Sequence, residues 1–199
     1  MKPCSNPIGT PKSKVVRFSA LATILVASGL AVSRPAAAAE EIFLRLDGIV
    51  GGATAAGHAN EIVVSSYSQA FSNPPSAATG GGGASAGKVK CGEIIVTKNI
   101  DKSSPKLIAA VVTGNHIATG DIKFDSTRGN GMLVESYHVA LTDVVVTDIA
   151  QMDHTPQGVM EQVTLSARQF TFTFTPTTNG GGAGGKIIFS VDCSTNQVN

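Results

Sequence analysis

The chain has 199 residues, which suits one domain with a sizeable core, and its 22 glycines and lack of tryptophan favour an all-β fold with an aliphatic core. The net charge of +1 conceals an asymmetry, because residues 1–39 hold five of the 15 basic residues and none of the 14 acidic ones. The rest of the chain is therefore acidic overall, which excludes the basic surface that nucleic-acid binding needs.

Residues 1–39 have the three-part pattern of a secretory signal peptide. A positively charged stretch comes first and contains Lys12, Lys14 and Arg17. An apolar run of 15 residues follows at 18–32, and the small residues that end at Ala39 fit a cleavage site before Glu40. The alternative is an uncleaved membrane anchor, but a spanning helix needs roughly 17–25 apolar residues. We therefore expect cleavage and an exported domain over residues 40–199, without a stable membrane span.

Two strands and a long loop are predicted next. Residues 41–46 form a first strand, which ends at the turn residues Asp47 and Gly48. Residues 61–71 form a second strand, which a pair of prolines ends. Residues 73–87 then form a loop rich in glycine, alanine, serine and proline, and loops of this length are typically functional or disordered.

The end of this loop, GGASAGKV at residues 82–89, resembles a phosphate-binding loop only in part. Val89 stands where that motif needs a serine or threonine hydroxyl for Mg²⁺. The residues that follow alternate like a strand and do not open a helix. We therefore predict a strand over residues 89–96, with neither a nucleotide site nor a cofactor.

A short α-helix is predicted over residues 104–113. Ser104 serves as its N-cap, and Pro105 takes the first helical position, where a missing N–H has no consequence. Apolar residues follow at helical spacing, and Gly114 suits the left-handed position that ends a helix.

The remaining sequence predicts strands. A short strand at 121–125 precedes the tight-turn pair Asn130 and Gly131, and residues 132–147 form one long strand or a bent strand pair. A polar connection follows at 150–158. The last strands are predicted at 159–167, 169–175 and 186–192.

A phenylalanine stripe marks the strand at 169–175. Phe170, Phe172 and Phe174 share one face, which is predicted to point into the core, with an exposed docking face as the alternative. Together the pattern gives eight or nine short strands and one helix. This combination is typical of a closed antiparallel β-barrel or a sandwich.

Two cysteines remain after the signal peptide, which contains Cys4, is removed. Cys91 and Cys193 are an even pair in an exported chain, so a single disulfide between them is the favoured prediction. The alternative is two buried free thiols on strands that do not meet. The separation of the two cysteines does not fit a zinc site.

The sequence contains no motif for catalysis. Its four histidines are scattered and lack metal-ligand spacing; they are His58, His116, His138 and His154. Three aspartates recur every five residues without calcium-binding spacing; they are Asp143, Asp148 and Asp153. A non-enzymatic protein is therefore predicted, since a secreted hydrolase would need the fold to bring histidines and carboxylates together in a cleft.

Four stretches carry a family resemblance. They are IFLRLDGIVG at 42–51, HANEIVVSSYSQAF at 58–71, AGKV at 86–89 followed by TKNIDKSSPKL at 97–107, and VTLSARQFTFTFTP at 163–176. In this order they resemble the haemolysin-coregulated proteins, the inner-tube subunits of bacterial type VI secretion. The resemblance covers about residues 41–193.

This resemblance implies an antiparallel β-barrel that packs side by side into a homo-oligomeric ring, a hexamer. It also implies that rings stack into a tube whose lumen binds cargo effectors, and that the loop at 73–87 projects toward neighbouring subunits. The residues expected at these subunit contacts are Gly80, Gly81, Gly82, Gly83, Lys88 and Lys90.

The signal peptide leads to a second hypothesis. Tube subunits of this family assemble in the cytoplasm and normally carry no such leader. On the second hypothesis the chain is an exported, stand-alone barrel that acts as a binding or adhesion module in the periplasm or the medium, outside any contractile sheath. A disulfide between Cys91 and Cys193 would fit that oxidising setting.

Overall fold

The computed structural model describes residues 40–74, 88–127, 133–153, 156, 158–178 and 182–198. Four sequence predictions concern residues outside these ranges. They are the signal peptide with its cleavage residue Ala39, the loop glycines 80–83, the turn at Asn130 and Gly131, and the position of His154. Glu40, the expected first mature residue, is the first described residue and begins the first strand.

The described residues form nine strands and one helix. The first four strands are β1 (Glu40–Leu46), β2 (Ile62–Val64), β3 (Ser66–Ser72) and β4 (Lys90–Asn99). The helix and the remaining strands are α1 (Ser104–Thr113), β5 (His116–Thr127), β6 (Leu133–Asp153), β7 (Val159–Phe174), β8 (Ile187–Asp192) and β9 (Gln197–Val198). The strands pair antiparallel throughout, which confirms the predicted mainly β fold with one short helix.

The sheet closes into a barrel because the continuous segment from β2 to β3 pairs with β1 at one end of the strand order and with β4 at the other end. The strand order is β2-β1-β5-β6-β7-β4-β3, so β2 and β3 lie at opposite ends of the path. Only Ser65 separates these two strands, and its N–H donates to the Thr97 carbonyl oxygen at 2.7 Å. The chain therefore passes from β1 to β4 within a few residues.

The interior of the barrel is mainly aliphatic, as the composition predicts. Side chains with no exposed surface come from six strands and include Leu44, Ile62, Ile94, Ile122, Val139 and Leu165. Leu107 of α1 is equally buried, so the helix packs its apolar face against this core. Alternation along the strands produces the core, since residues two apart point to the same face.

The helix has the predicted bounds but a different N-cap. Ser103, not Ser104, takes that position, and no side chain caps the helix from there. Ser104 lies in the first turn, where its hydroxyl donates to Glu161 Oε2 at 2.6 Å, and the local sequence does not reveal this acceptor on β7. Gly114 ends the helix with a left-handed φ of 63°, as predicted. No helix in the described part of the chain is long and apolar enough to cross a membrane.

The later strands are longer than the sequence predicts. β5 begins at His116, and β6 continues to Asp153 through part of the predicted polar connection. β7 is continuous where two strands are predicted. It stays paired with β6 from Tyr137 opposite Phe174 to Asp153 opposite Val159. Polar residues extend these strands because strand pairing satisfies backbone groups whatever the side chain.

At two places the alternation of buried and exposed residues along a strand is interrupted. A strict two-residue period does not predict these interruptions. The predicted strand at 61–71 is divided at Ser65 into β2 and β3. In β6 the buried positions shift from Leu141 to Val144, because Asp143 between them has a left-handed backbone with φ 58°.

Candidate functional site

The barrel wall forks along β7. Residues 160–165 of β7 pair with β4, and residues 169–174 pair with β8. On its outer edge β8 pairs with β9 only at Val191 and Asp192. In the described part of the chain no strand pairs with the outer edge of residues 187–190. This edge is therefore open to another chain.

Large apolar side chains are exposed along the open edge. Ile187 and Ile188 keep 64% and 61% of their surface exposed, and Phe189 keeps 47%. Phe174 lies opposite Ile187 in β7 and is also 47% exposed. Because consecutive residues point to opposite faces, β8 is apolar on both faces here. We call these four residues the β8 edge; such a surface is typically covered by a partner.

A disulfide bond closes the base of the fork. Cys91 of β4 is bonded to Cys193, which follows β8 directly, and their Cα atoms are 6.0 Å apart. The N–H of Cys193 donates to the Arg168 carbonyl oxygen at 2.9 Å. The sequence leaves open a disulfide or two free thiols, and the structure has the disulfide. The bond ties the C-terminal strand pair to the other branch of the wall.

The turn between β8 and β9 is organised by Asp192. Its carboxylate accepts hydrogen bonds from the Ser194 hydroxyl at 2.6 Å and the Gln169 amide at 2.7 Å. It also accepts from the backbone N–H groups of Ser194 and Thr195 and from Arg168. These bonds, with the Ser194 hydroxyl foremost, hold the pKa of the Asp192 carboxyl well below its usual range. The turn therefore keeps its ionised anchor near neutral pH.

A wide-open cavity of about 340 Å³ lies beside the β8 edge. Four aromatic side chains and one amide line this aromatic cavity: Tyr67, Gln69, Phe71, Tyr137 and Phe172. Phe172 stacks on Phe189 with ring centroids 6.3 Å apart, so the cavity and the β8 edge share a wall. Burial raises the pKa of Tyr67 and of Tyr137, so both hydroxyls stay neutral at physiological pH.

The predicted phenylalanine stripe lies only partly in the core. Phe170 is 1% exposed, whereas Phe172 lines the aromatic cavity and Phe174 belongs to the β8 edge. The core prediction is therefore correct for Phe170 and wrong for Phe174. Alternation places the three rings on one face, but it does not locate the end of the barrel interior along the strand.

The lysines predicted at subunit contacts lie near the fork. Lys88 and Lys90 are both exposed, and Lys90 begins β4 opposite Ser72. Lys90 directly precedes Cys91, so it lies beside the base of the fork. The predicted contact glycines 80–83 lie outside the described residues.

The described histidines have separate carboxylate partners. His58 is buried, and its ring nitrogens lie 2.8 Å from Glu61 Oε2 and 2.9 Å from Asp125 Oδ2. The other two pairs are His116 with Asp143 and His138 with Asp121. Within the described ranges no group of three or more histidine, cysteine or acidic side chains is arranged to hold a metal ion. The convergence of histidines that a hydrolase would need is therefore not found among these three.

The sequence profile of the family described as "Type VI secretion system effector, Hcp" matches residues 43–174, more than half of the chain. The chain belongs to the Hcp family. The matched segment runs from β1 through the end of β7. The strands β8 and β9 and the bonded Cys193 of this Hcp protein lie beyond it.

Individual relatives of this Hcp protein are distant in sequence. The major exported protein of Pseudomonas aeruginosa is 29% identical over 87 residues, which are 40% of this chain and 51% of the relative. The match therefore spans about half the length of that curated relative.

Solved structures of Hcp proteins share the fold. A type six secretion system protein superimposes with a TM-score of 0.73 at 24% identity, over 81% of this chain and 100% of the other. Hcp1 of Salmonella typhimurium gives 0.65 at 25% identity, over 81% and 99%. Hcp1 of E. coli EAEC 042 gives 0.63 at 26% identity, over 79% and 99%. These similarities support the barrel fold over most of the chain.

Two features of this Hcp barrel are missed by sequence reasoning. Lys98 is fully buried and contacts Glu161 at 2.8 Å. Its position two residues after the inward-facing Val96 is the signal that locates it. The exposure of β8 carries no such signal, because IIFSVD is as apolar as a buried strand.

Proposed function

We propose that this Hcp protein is a ring-forming tube subunit of a type VI secretion system and that the neighbouring subunit covers its β8 edge. The observation that carries the proposal is the exposed apolar edge on a barrel of the Hcp family. A monomer with such an edge is prone to aggregate. A ring buries the edge on every subunit, so assembly removes this liability.

The contact between subunits joins two different surfaces. A ring is built from head-to-tail contacts whose rotation closes, so the β8 edge of one subunit meets another face of the next. We propose that Lys88 and Lys90, on the β4 side of the fork, contribute to the facing surface, together with the loop glycines 80–83, which lie outside the described residues. The ring is proposed to be a hexamer whose stacked lumen holds cargo effectors.

The protein is proposed to be non-enzymatic and to be exported. We propose that residues 1–39 are a signal peptide that is cleaved between Ala39 and Glu40, releasing a single barrel domain over 40–199. The three-part sequence pattern supports this step, and so does the bond between Cys91 and Cys193, since disulfides persist in oxidising compartments. The mature protein would then act in the periplasm or outside the cell.

A second candidate function is a stand-alone exported barrel that serves as a binding or adhesion module. The Cys91–Cys193 bond is the observation that favours it, because tubes of this family assemble in the reducing cytoplasm, where such bonds rarely persist. The β8 edge would then bind a surface or a foreign protein and not a second subunit.

The native mass of the mature protein, residues 40–199, distinguishes the two functions. It is measured by light scattering after size-exclusion chromatography, under oxidising and under reducing conditions. A tube subunit gives a particle of six subunits. A monomer in both conditions would contradict the ring and favour the stand-alone module.

A pair of variants tests whether the β8 edge is the contact. Ile188→Lys places a charge on the exposed edge and should shift the particle to monomers, because a buried unpaired lysine is costly. Val112→Lys is the matched control, since Val112 is 80% exposed on α1 and its change should leave the mass unaltered. Equal masses for both variants would exclude the β8 edge from the contact.

A further inference from the structure

The disulfide joins two branches of the barrel wall that share no backbone pairing. β8 pairs with β7 and, at its end, with β9, whereas β4 pairs with β3 and with an earlier part of β7. Cys91 lies opposite Phe71 of β3, and Cys193 directly follows Asp192, the last residue of β8. In the described part of the chain, strand pairing therefore does not duplicate the covalent tie between the two branches of the fork.

Apart from this bond, little buried surface holds β8 in place. Of the residues Ile187–Asp192, only Val191 is buried. The strand is otherwise held by its pairing with β7, by side-chain hydrogen bonds to β7 and by the stack of Phe189 on Phe172. Segments with few buried apolar contacts open at a lower free energy than a barrel core does. The disulfide opposes this local opening, because it fixes the end of the strand to β4.

Opening of β8 dismantles the β8 edge. Three of its four residues, Ile187, Ile188 and Phe189, belong to β8, and the fourth, Phe174, lies opposite Ile187. The four side chains keep their arrangement only while β8 stays paired with β7. A partner that binds this arrangement binds more weakly in proportion to the fraction of subunits that lack it. A ring needs the arrangement at every contact, so its assembly depends on that fraction.

The bond is accessible to a reductant, since Cys91 and Cys193 are each only half-buried. One thiolate of a dithiol attacks a cysteine sulfur and forms a mixed disulfide, and the second thiol of the reductant then displaces that cysteine. The protein gains two electrons and two protons and carries two thiols, while the dithiol becomes a disulfide. Residues 40–199 contain no third cysteine, so the same pair forms again on oxidation.

We propose that the Cys91–Cys193 bond is a redox switch for ring assembly, which couples the oxidation state of the pair to the contact at the β8 edge. This inference rests on the proposed ring function. The oxidised subunit presents an ordered β8 edge and assembles with further copies of the chain. The reduced subunit loses the order of β8 and stays single. Because the cytoplasm keeps thiols reduced, the ring forms only in the oxidising compartment where we propose that the protein acts.

The switch is tested on the mature protein, residues 40–199, by light scattering before and after treatment with dithiothreitol and again after re-oxidation. Free thiols are counted in each state. We expect a six-subunit particle in the oxidised state, single subunits when both thiols are free, and recovery of the particle on re-oxidation. Hydrogen exchange in the reduced state should be about tenfold faster or more in β8, while Ile122 of β5 keeps its protection.

The outcomes separate this inference from the proposed function. Single subunits in the oxidised state would contradict the ring itself. A six-subunit particle that persists with both thiols free would leave the ring standing and overturn the switch. Loss of protection at Ile122 together with β8 would also overturn it, because reduction would then unfold the whole barrel and not one strand.

Two variants separate the bond from the contact. The double variant Cys91→Ser, Cys193→Ser should be a single subunit with or without reductant. Ile188→Lys keeps both cysteines but removes the contact, so it should be a single subunit whose β8 amides are protected when oxidised and exchange faster when reduced. Equal exchange in both states of Ile188→Lys would show that the bond does not order β8, and would overturn the switch. The comparison in the unchanged protein stands even if the double variant fails to fold.

Discussion

Lys98 of β4 and Glu161 of β7 form an ion pair of 2.8 Å in which neither side chain is exposed. Glu161 also accepts hydrogen bonds from the Ser104 hydroxyl at 2.6 Å and the Gln151 amide at 2.8 Å. Lys98 Nζ reaches Asp101 at 2.9 Å. The pair therefore joins β4, β6, β7 and the start of α1 at one buried point.

Removing one member of this pair should destabilise the barrel strongly. Lys98→Met leaves Glu161 as a buried charge without its cation, and we expect a loss of about 3–5 kcal/mol in the free energy of unfolding. Urea denaturation measures this loss. The double variant Lys98→Met, Glu161→Leu should lose less than the two single changes added together.

The matched control for the buried pair is Arg45→Gln. Arg45 pairs with Asp121 at 2.8 Å, but its side chain is 60% exposed, so its removal should cost about 0–1 kcal/mol. If Lys98→Met and Arg45→Gln prove equally stable, burial does not increase the contribution of the Lys98–Glu161 pair to the free energy of unfolding.

The Lys98–Glu161 pair also predicts that the free energy of unfolding decreases in acid. Burial pushes the pKa of Glu161 upward, but hydrogen bonds from Lys98, Ser104 and Gln151 outweigh it and hold the pKa below its usual value. A carboxyl with a lowered pKa in the folded state stabilises the protein above its unfolded pKa of about 4.3 and loses that contribution as the pH falls through its folded pKa.

Glu161→Gln measures this contribution directly. Its deficit in unfolding free energy relative to the unchanged protein should be largest near neutral pH and should shrink as the pH falls below about 4. Urea denaturation over that range gives both curves. A deficit that stays constant down to about pH 3 would show that the charge on Glu161 contributes nothing specific.

Much of this fold follows from sequence pattern, because alternation and turn signals are local. Nearly all the strands and the helix are located by their apolar period and by breakers such as Gly114. The points that fail are decided by distant partners. Ser104 of α1 donates to Glu161 on the distant strand β7 and does not cap the helix. Asp143 in β6 has a left-handed backbone that no local motif predicts.

The candidate site is harder to predict than the fold. The pairing of Cys91 with Cys193 was one of two open alternatives, because the sequence does not tell which strands meet. The sequence predicts the strand β8 but not the exposure of the β8 edge, since an apolar strand does not reveal whether anything covers it. Gln69 Nε2 is buried without a hydrogen-bond partner among the described residues, and this depends on side-chain orientation, which has no sequence signature.

The disulfide should contribute substantially to stability and to the order of the C-terminal strands. The double variant Cys91→Ser, Cys193→Ser should lose about 2–5 kcal/mol in urea denaturation, because the bond closes a long loop in the unfolded chain. Hydrogen exchange should speed up in β8 more than at Ile122 in the central strand β5. A reductant should lower the stability of the unchanged protein and leave the variant unaffected; an unchanged curve for both would contradict this role.

Strands β3 and β4 approach each other closely at Gly92. A Cβ atom there would overlap the Ala70 carbonyl oxygen, next to the register shift between Gln69 and Phe71. Gly92→Ala should therefore push the two strands apart at Cys91 and cost about 1–3 kcal/mol, as overpacking does.

Gly185→Ala is the matched control, since a Cβ there meets nothing within 4 Å and the change should shift stability by no more than about 1 kcal/mol. Both are measured by thermal and urea unfolding of the oxidised protein. Equal stability of the two alanine variants would mean that the strands at Gly92 separate freely, and that the base of the fork is held by the disulfide alone.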